Sequence, residues 1–309
     1  LDGKLLKREL RHIINEESGS DLLDTFTTYN FLNDAANEIN MRIEHIKNSQ
    51  TLTIVANQTD YTLDARYMKL YQKALRTDKH FVQFSDGTTR HNIPEKDRDT
   101  IVHGNQAVTV TSVAIPDNFY ISDDKILDDQ VTSTTTSAGA LSAGKATLTD
   151  TAADFSDVSP GDNLHNIDDG SIGIVISKTS STVLITAMFD GVDDDWGSGD
   201  TYVIQPQGRY KLVFDPPPST AGNTVEVPYI SRLAPVYSDY DHFRLPIQYK
   251  EALLNYAAFL YNYRAGRQEV GDKFFVLYDN AVRRSAHNSN KALGRNRVVV
   301  SFKKRQVNS

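Results

Sequence analysis

Residues 139 to 146, GALSAGKA, stand one position short of a phosphate-binding loop. Such a loop needs Gly, four residues, then Gly-Lys followed by Ser or Thr, so that backbone amides cradle phosphate and the hydroxyl holds magnesium. Ala146 takes the hydroxyl position, and the flanks read as a polar linker and a strand where the chemistry needs a strand before and a helix after. The match is read as coincidence. The acidic run DGVDDDWGSGD, 190 to 200, offers Asp190, Asp193, Asp195 and Asp200 as oxygen donors for calcium. It lacks the alternating spacing and twelfth-position glutamate of an EF-hand, so a solvated turn closed by Trp196 is expected, with weak ion binding left open. The eight histidines are scattered, with no HExxH and no set of three nitrogens for zinc. No Gly-x-Ser-x-Gly elbow exists, and the absence of cysteine removes thiolate nucleophiles, disulfides and cysteine zinc sites. No enzyme, cofactor or metal is expected.

The stretch KALGRNRVVVSFKKRQVNS, 291 to 309, carries chemistry of another kind. Its cations can neutralise nucleic-acid phosphates, dock on an acidic partner, or belong to a frayed solvated end. Val298, Val299, Val300 and Phe302 favour docking, because a ready strand or anchor for a groove on another chain has no use in a solvated tail. A second unusual stretch, ALLNYAAFLYNYRAG at 252 to 266, is helical in pattern yet apolar or aromatic nearly all round. A surface helix shows one apolar stripe and one charged face. One face is therefore expected to pack internally and the other on a neighbouring subunit.

Composition frames these elements. The chain has 309 residues, 24% charged and 39% hydrophobic, a balance that is globular and excludes a disordered or membrane-spanning chain. The first nine residues carry five charges and no apolar stretch, so no signal peptide is expected. The net charge of -7 hides an asymmetry: residues 121 to 200 hold fifteen Asp and three Lys, whereas 280 to 309 hold eight Lys or Arg and no acid. The absence of cysteine fits maturation in a reducing cytoplasm.

Apolar spacing predicts helices over 4–16 and 29–47, the second with Asn30 as candidate cap, and over the stretch after Pro246 and 271–288. TLTIVANQTDYTL, 51 to 63, reads as one hairpin, Asp86-Gly87 as the turn of a second, and Pro94 as the start of a short helix. RYKLVFDPPPSTAGNTVEVPYISR reads as two strands paired across a proline-rich turn. From Ala146 to Gln205 the runs ATLT, NLHNI, GIVISK, TVLITA and TYVIQ alternate with turn residues, as in a small all-β module. The expected fold is α+β: a helical bundle core with β-hairpins, divided as 1–130, an inserted β module at 131–205, a C-terminal helical part at 206–290 and an extended basic arm at 291–309.

The order of these pieces resembles the head-tail connector, or portal adaptor, proteins of tailed bacteriophages. The likeness rests on YNFLNDAANEINMRI, then TLTIVANQTDYTLDARYMKLYQKAL, the turn RYKLVFDPPPSTAGNTVEVPYISR, and the closing LPIQYKEALLNYAA and FFVLYDNAV. It covers about two thirds of the chain, excluding the insert, which is itself similar to β modules of other phage structural proteins. The resemblance implies a virion protein at the head-tail interface, made in the host cytoplasm, forming a dodecameric ring under the portal and holding the tail or nozzle protein below. DNA would pass through the ring without sequence-specific binding, and no membrane is involved. Portal docking would fall on Arg295, Arg297, Val298, Val299, Val300, Phe302, Lys303 and Lys304, and ring contacts on Tyr256, Phe259, Tyr263, Phe274 and Tyr278. The insert would meet solvent, a tail spike or a fibre. The alternative is a peripheral baseplate or fibre-attachment protein whose β module binds a receptor or partner.

Overall fold

The computed structural model describes residues 1–15, 24–71, 80–97, 112–124, 130–206 and 208–292. Among these the chain is mostly β, with fourteen strands in three antiparallel sheets, one a half-barrel, and four helices making 28% of the structure. This corrects the helical-bundle core expected from the sequence. A 3.6-residue pattern is visible within one segment, whereas a sheet core is assembled from short strands far apart in the chain.

The chain divides into two compact units, the first made of 6–39 with 245 onward, the second of 40–244 with 2–5. At the heart of the second unit lies β14 (Thr224–Ser231), which pairs antiparallel with β1 (Lys47–Thr53) along one edge and with β3 (Tyr67–Leu70) and β4 (Phe81–Ser85) along the other. β5 (Arg90–Pro94) closes this sheet as a hairpin with β4. Its turn is set by Gly87 at φ 89 and by the Asp86 carboxylate, which accepts the N–H groups of Thr88 and Thr89. Pro94 ends that strand instead of opening a helix. A three-stranded sheet places β13 (Arg209–Asp215) between β2 (Asp60–Thr62) and β6 (Asn118–Asp124). The run 51–63 is thus no hairpin: β1 joins one sheet and β2 another. The same correction holds for the pair across the prolines, since β13 and β14 belong to different sheets. Leu52, Ile54, Tyr61, Val82, Phe84, Phe119, Leu212, Phe214, Val225, Val227 and Tyr229 fuse the two sheets into one apolar cluster.

Between β6 and β13, which pair in register from Asn118↔Asp215 to Arg209↔Asp124, the chain inserts a six-stranded sheet of order β7-β12-β9-β10-β11-β8. Its strands are β7 (Val131–Thr134), β8 (Ala146–Thr149), β9 (Asn163–Asn166), β10 (Ser171–Ser180), β11 (Val183–Phe189) and β12 (Thr201–Gln205). Alternate residues Leu164, Leu184, Tyr202 and Ile204 point inward with Phe155, Val158 and Trp196, giving the module its own core. Entry and exit lie side by side, because β7 pairs with β12 and Gln130 donates to Gln205 at 2.9 Å.

In the first unit, α1 (Gly3–Ile14) buries Leu6, Leu10 and Ile14, and α2 (Thr25–Ile43) buries Tyr29, Leu32, Ala35, Ala36 and Ile39, a stripe of helical period. The cap of α2 is Asp24 and not Asn30: its carboxylate accepts the Thr27 N–H and hydroxyl. After Pro246 a short 3-10 turn, Ile247–Tyr249, leads into α3 (Lys250–Arg264). Gly266, at φ 71, reverses the chain, and Arg267 N–H returns to the Asn262 carbonyl at 2.8 Å before α4 (Gln268–Ala292) begins.

Candidate interaction surface

The α3–α4 pair meets through aromatic rings because both helices place rings along the shared seam at helical spacing. Tyr256, Phe259 and Tyr263 run down one flank of α3. Phe259 lies 5.4 Å from Tyr256, 4.7 Å from Tyr263 and 5.2 Å from Phe275, and Tyr278 sits edge-on to Tyr256 at 4.7 Å. Tilted and edge-on rings at these separations match the quadrupole preference of aromatic pairs. Gly271 permits the close approach, since a Cβ there would lie 2.6 Å from the Tyr263 ring. The Tyr263 hydroxyl then donates to Asp272 at 2.8 Å. Burial raises the Tyr256 phenol above its ordinary pKa, helped by the nearby Glu38 and Asp34 carboxylates.

The aromatic helix is covered mainly within its own chain. Ala252, Leu253, Leu254, Ala257, Ala258 and Tyr261 of α3 are buried. Of the five residues expected to touch a neighbouring subunit, Tyr278 is fully buried and donates toward Glu38, Tyr256, Phe259 and Phe274 are half-buried, and Tyr263 is 44% exposed. Sequence reasoning missed where apolar surface remains open: on α4, Val270, Phe275, Val276 and Leu277 are each more than 40% exposed. The signal was present. Three consecutive apolar residues, 275 to 277, span about 200° of a helix and cannot share one buried seam.

The basic arm cannot be placed on this surface, because Arg295, Arg297, Val298, Val299, Val300, Phe302, Lys303 and Lys304 lie outside the described residues. In the chain they follow α4 directly.

The phosphate-loop look-alike is a strap. Ser142 and Lys145 exchange both backbone hydrogen bonds in a tight turn, and the Lys145 ammonium meets Asp241 at 2.6 Å. The Ser238 hydroxyl donates to the Ala143 carbonyl, so the β7–β8 connection is tied to the segment after β14. The Lys145 ammonium, which a phosphate-binding loop would turn toward its ligand, is engaged by the Asp241 carboxylate instead.

In the acidic loop the carboxylates hold backbone and amide N–H groups. Asp200 accepts from Gly197 N at 2.7 Å and Asn166 Nδ2 at 2.8 Å, Asp194 accepts from Gly191 N at 3.0 Å, and Asp168 accepts from Thr201 N. Among the described residues no group of three His, Cys, Asp or Glu side chains could hold a metal ion. Crowding still marks the loop: partial burial, then Asp200, Asp193, Asp195 and Asp194, push the Asp169 carboxyl above its ordinary pKa. Trp196 does close the turn, 1% exposed, its indole N–H donating to Thr186. No helix among the described residues is long and apolar enough to cross a membrane. Compared with known proteins, the chain matches no family model and no curated protein.

Proposed function

We propose that the protein is a structural adaptor of a tailed-phage virion, joining the portal vertex to the tail by binding and not by catalysis. The observation that carries the reading is the C-terminal end of the first unit: an α4 helix with exposed Val270, Phe275, Val276 and Leu277 runs directly into a basic, valine-rich segment. An exposed apolar face next to a segment with both anchors and cations suits binding to other protein chains. In this reading copies of the chain form a dodecameric ring, the arm from Arg295 to Lys304 docks on the portal, and a tail or nozzle protein sits below. DNA passes without sequence readout. The acidic stretch from 121 to 200 would be repelled by phosphates, so a tail spike, a fibre or solvent meets the inserted module instead.

The test mixes the protein with the portal ring of the same phage, full-length or truncated after Asn290, and follows complex formation by sedimentation. Binding by the full-length chain alone supports the reading and the arm's role. Binding by both forms removes the arm from it, and binding by neither defeats the adaptor reading.

A second reading, a peripheral baseplate or fibre-attachment protein, has its own observation. Ile167 and Val192, on the β9–β10 and β11–β12 loops, are 56% and 81% exposed amid Asp168, Asp169 and Asp193. Receptor glycan or partner-protein binding by the isolated virion protein, with no affinity for portal, would favour it.

A further inference from the structure

α4 carries apolar surface that its packing on α3 does not explain. Its buried seam runs through Gly271, Tyr278, Val282 and Ser285. At about 100° per residue, Val276 lies about 150° round from that seam, on a line with Glu269, Asn280 and Arg283. It is 57% exposed, and Leu277 beside it is 49% exposed. A solvated face has no use for either side chain.

The segment that follows α4 has the matching pattern. In RVVVSFKKR, 297 to 305, Val298, Val300 and Phe302 alternate, so an extended chain puts them on one face, and Lys303, Lys304 and Arg305 come directly after. Length sets the register. Gly294, a residue type suited to ending a helix, lets the chain turn back from residue 295 onward. At about 3.3 Å per extended residue and about 1.5 Å per helical residue, Phe302 returns level with Val276 and Leu277, and the three cations level with the first two turns of α4.

Those turns offer Glu269 and Asp272 against one cation, Lys273, all three exposed. Arg264 and Arg267, at the same end of the helix pair, turn elsewhere, over the Phe31 and Tyr261 rings. From 280 to 309 the chain has no acid, so an antiparallel return is the direction that brings the basic residues to carboxylates. Arg283 and Arg284, which the arm passes on the way, are already paired with Asp279 and Glu251 at 2.7 and 2.8 Å and offer their aliphatic stems.

We infer that residues 293 to 309 fold back antiparallel along the outer face of α4, with Phe302 on Val276 and Leu277, Val298 and Val300 over the stems of Arg283 and Arg284, and Lys303 to Arg305 beside Glu269 and Asp272. The arm is then masked by its own helix, and a partner chain gains the apolar anchors only by displacing them. The contact stands on α4 and the sequence of the arm. Only the identity of the competing partner rests on the adaptor reading, and the test uses no portal, so the two fail separately.

The experiment follows chymotryptic cleavage after Phe302 in the full chain and in a free peptide of residues 293 to 309. Cleavage of a segment that opens reversibly tracks its open population, so the bond is expected to be cut at least about tenfold more slowly in the chain than in the peptide. An intramolecular contact keeps that protection equal at about 1 and about 100 µM protein. Val276→Asp, at an exposed position, should bring the rate to within about twofold of the peptide. Val300→Asp, which leaves both helices unchanged, should do the same against a peptide carrying that change. The chain has no cysteine, so Asn280→Cys with Ser301→Cys forms an isolated pair that a short bis-maleimide joins within one chain, in a yield that Val276→Asp lowers. Wild-type cleavage at the peptide's rate, protection that survives either Asp substitution, or a crosslink yield indifferent to Val276→Asp overturns the inference. So does protection lost on dilution, which would place the arm on a second copy.

Discussion

Thr186→Val isolates one buried hydrogen-bond chain. The Thr186 hydroxyl accepts the Trp196 indole N–H at 2.9 Å and donates to the Ala146 carbonyl at 3.0 Å, with all three residues buried. Valine keeps the shape and the strand propensity while leaving the indole donor without a partner. A stranded buried donor costs about 1–3 kcal/mol. With a urea dependence of about 1–2 kcal/mol per molar, a loss near 2 kcal/mol lowers the unfolding midpoint by about 1–2 M. Trp196 is the only tryptophan in the chain, so its emission reports on the inserted module alone. Thr186→Ser keeps the hydroxyl and is expected within about 0.5 M of wild type, since only one partly compensated methyl is lost. If Thr186→Val unfolds at the wild-type midpoint, the hydroxyl bridge does not hold the acidic loop onto the module, and the reasoning fails.

The same emission signal reads the acid limb of the module's stability. Burial by itself pushes the Asp150 carboxyl up, but hydrogen bonds from Ser133, Tyr202 and the Ala152 and Ala153 amides outweigh it and hold the group below its ordinary value. A carboxyl depressed in the fold stabilises above its unfolded pKa, so that contribution is present at neutral pH and is lost as pH falls below about 4. Asp150→Asn should flatten that limb in midpoints measured from about pH 2 to 6; an unchanged slope contradicts the assignment. Gly139→Ala would place a Cβ 1.9 Å from the Thr147 carbonyl oxygen, in a backbone pair with Trp196. It should destabilise the module by about 1–3 kcal/mol, the range for overpacked sites. In the main sheets, Asn40 donates to the Ser231 carbonyl at 2.8 Å and accepts the Ile46 N–H at 2.9 Å. Asn40→Ala strands both and should cost about 2–4 kcal/mol, read as a fall of at least about 5 °C in the calorimetric midpoint.

Local pattern was legible and long-range pairing was not. Of the stripe expected along the second helix, Phe31, Leu32, Ala35, Ala36 and Ile39 are buried as their spacing required, whereas Ile43 and Ile46 are only half-buried because the helix ends at Ile43; ATLT, NLHNI, GIVISK, TVLITA and TYVIQ each fall on a strand from β8 to β12. Trp196 sealing its loop was legible too. The central role of β14 was not, because TVEVPYIS shows only a period of two. Its partners lie near residues 50, 69 and 83, and alternation says nothing about which distant strand completes a sheet. The helices therefore looked like the core. At the candidate surface, aromatic content pointed to the right helix pair but not to its open sides: Tyr278 carries as strong a signal as Phe275 and is fully buried. Which ring faces outward depends on how α3 and α4 settle against each other.

The insertion of a whole sheet into one hairpin has a kinetic consequence. β6 ends at Asp124 and β13 begins at Arg209, so their register must form across about 80 residues of chain. Once β7 and β12 have paired, entry and exit of that span are held together, and only about nine residues remain to be closed. The closure entropy falls by roughly 2 kcal/mol, from the logarithmic dependence on loop length. Folding order is thereby biased: the module comes first as a clasp, and the β6–β13 ladder completes behind it.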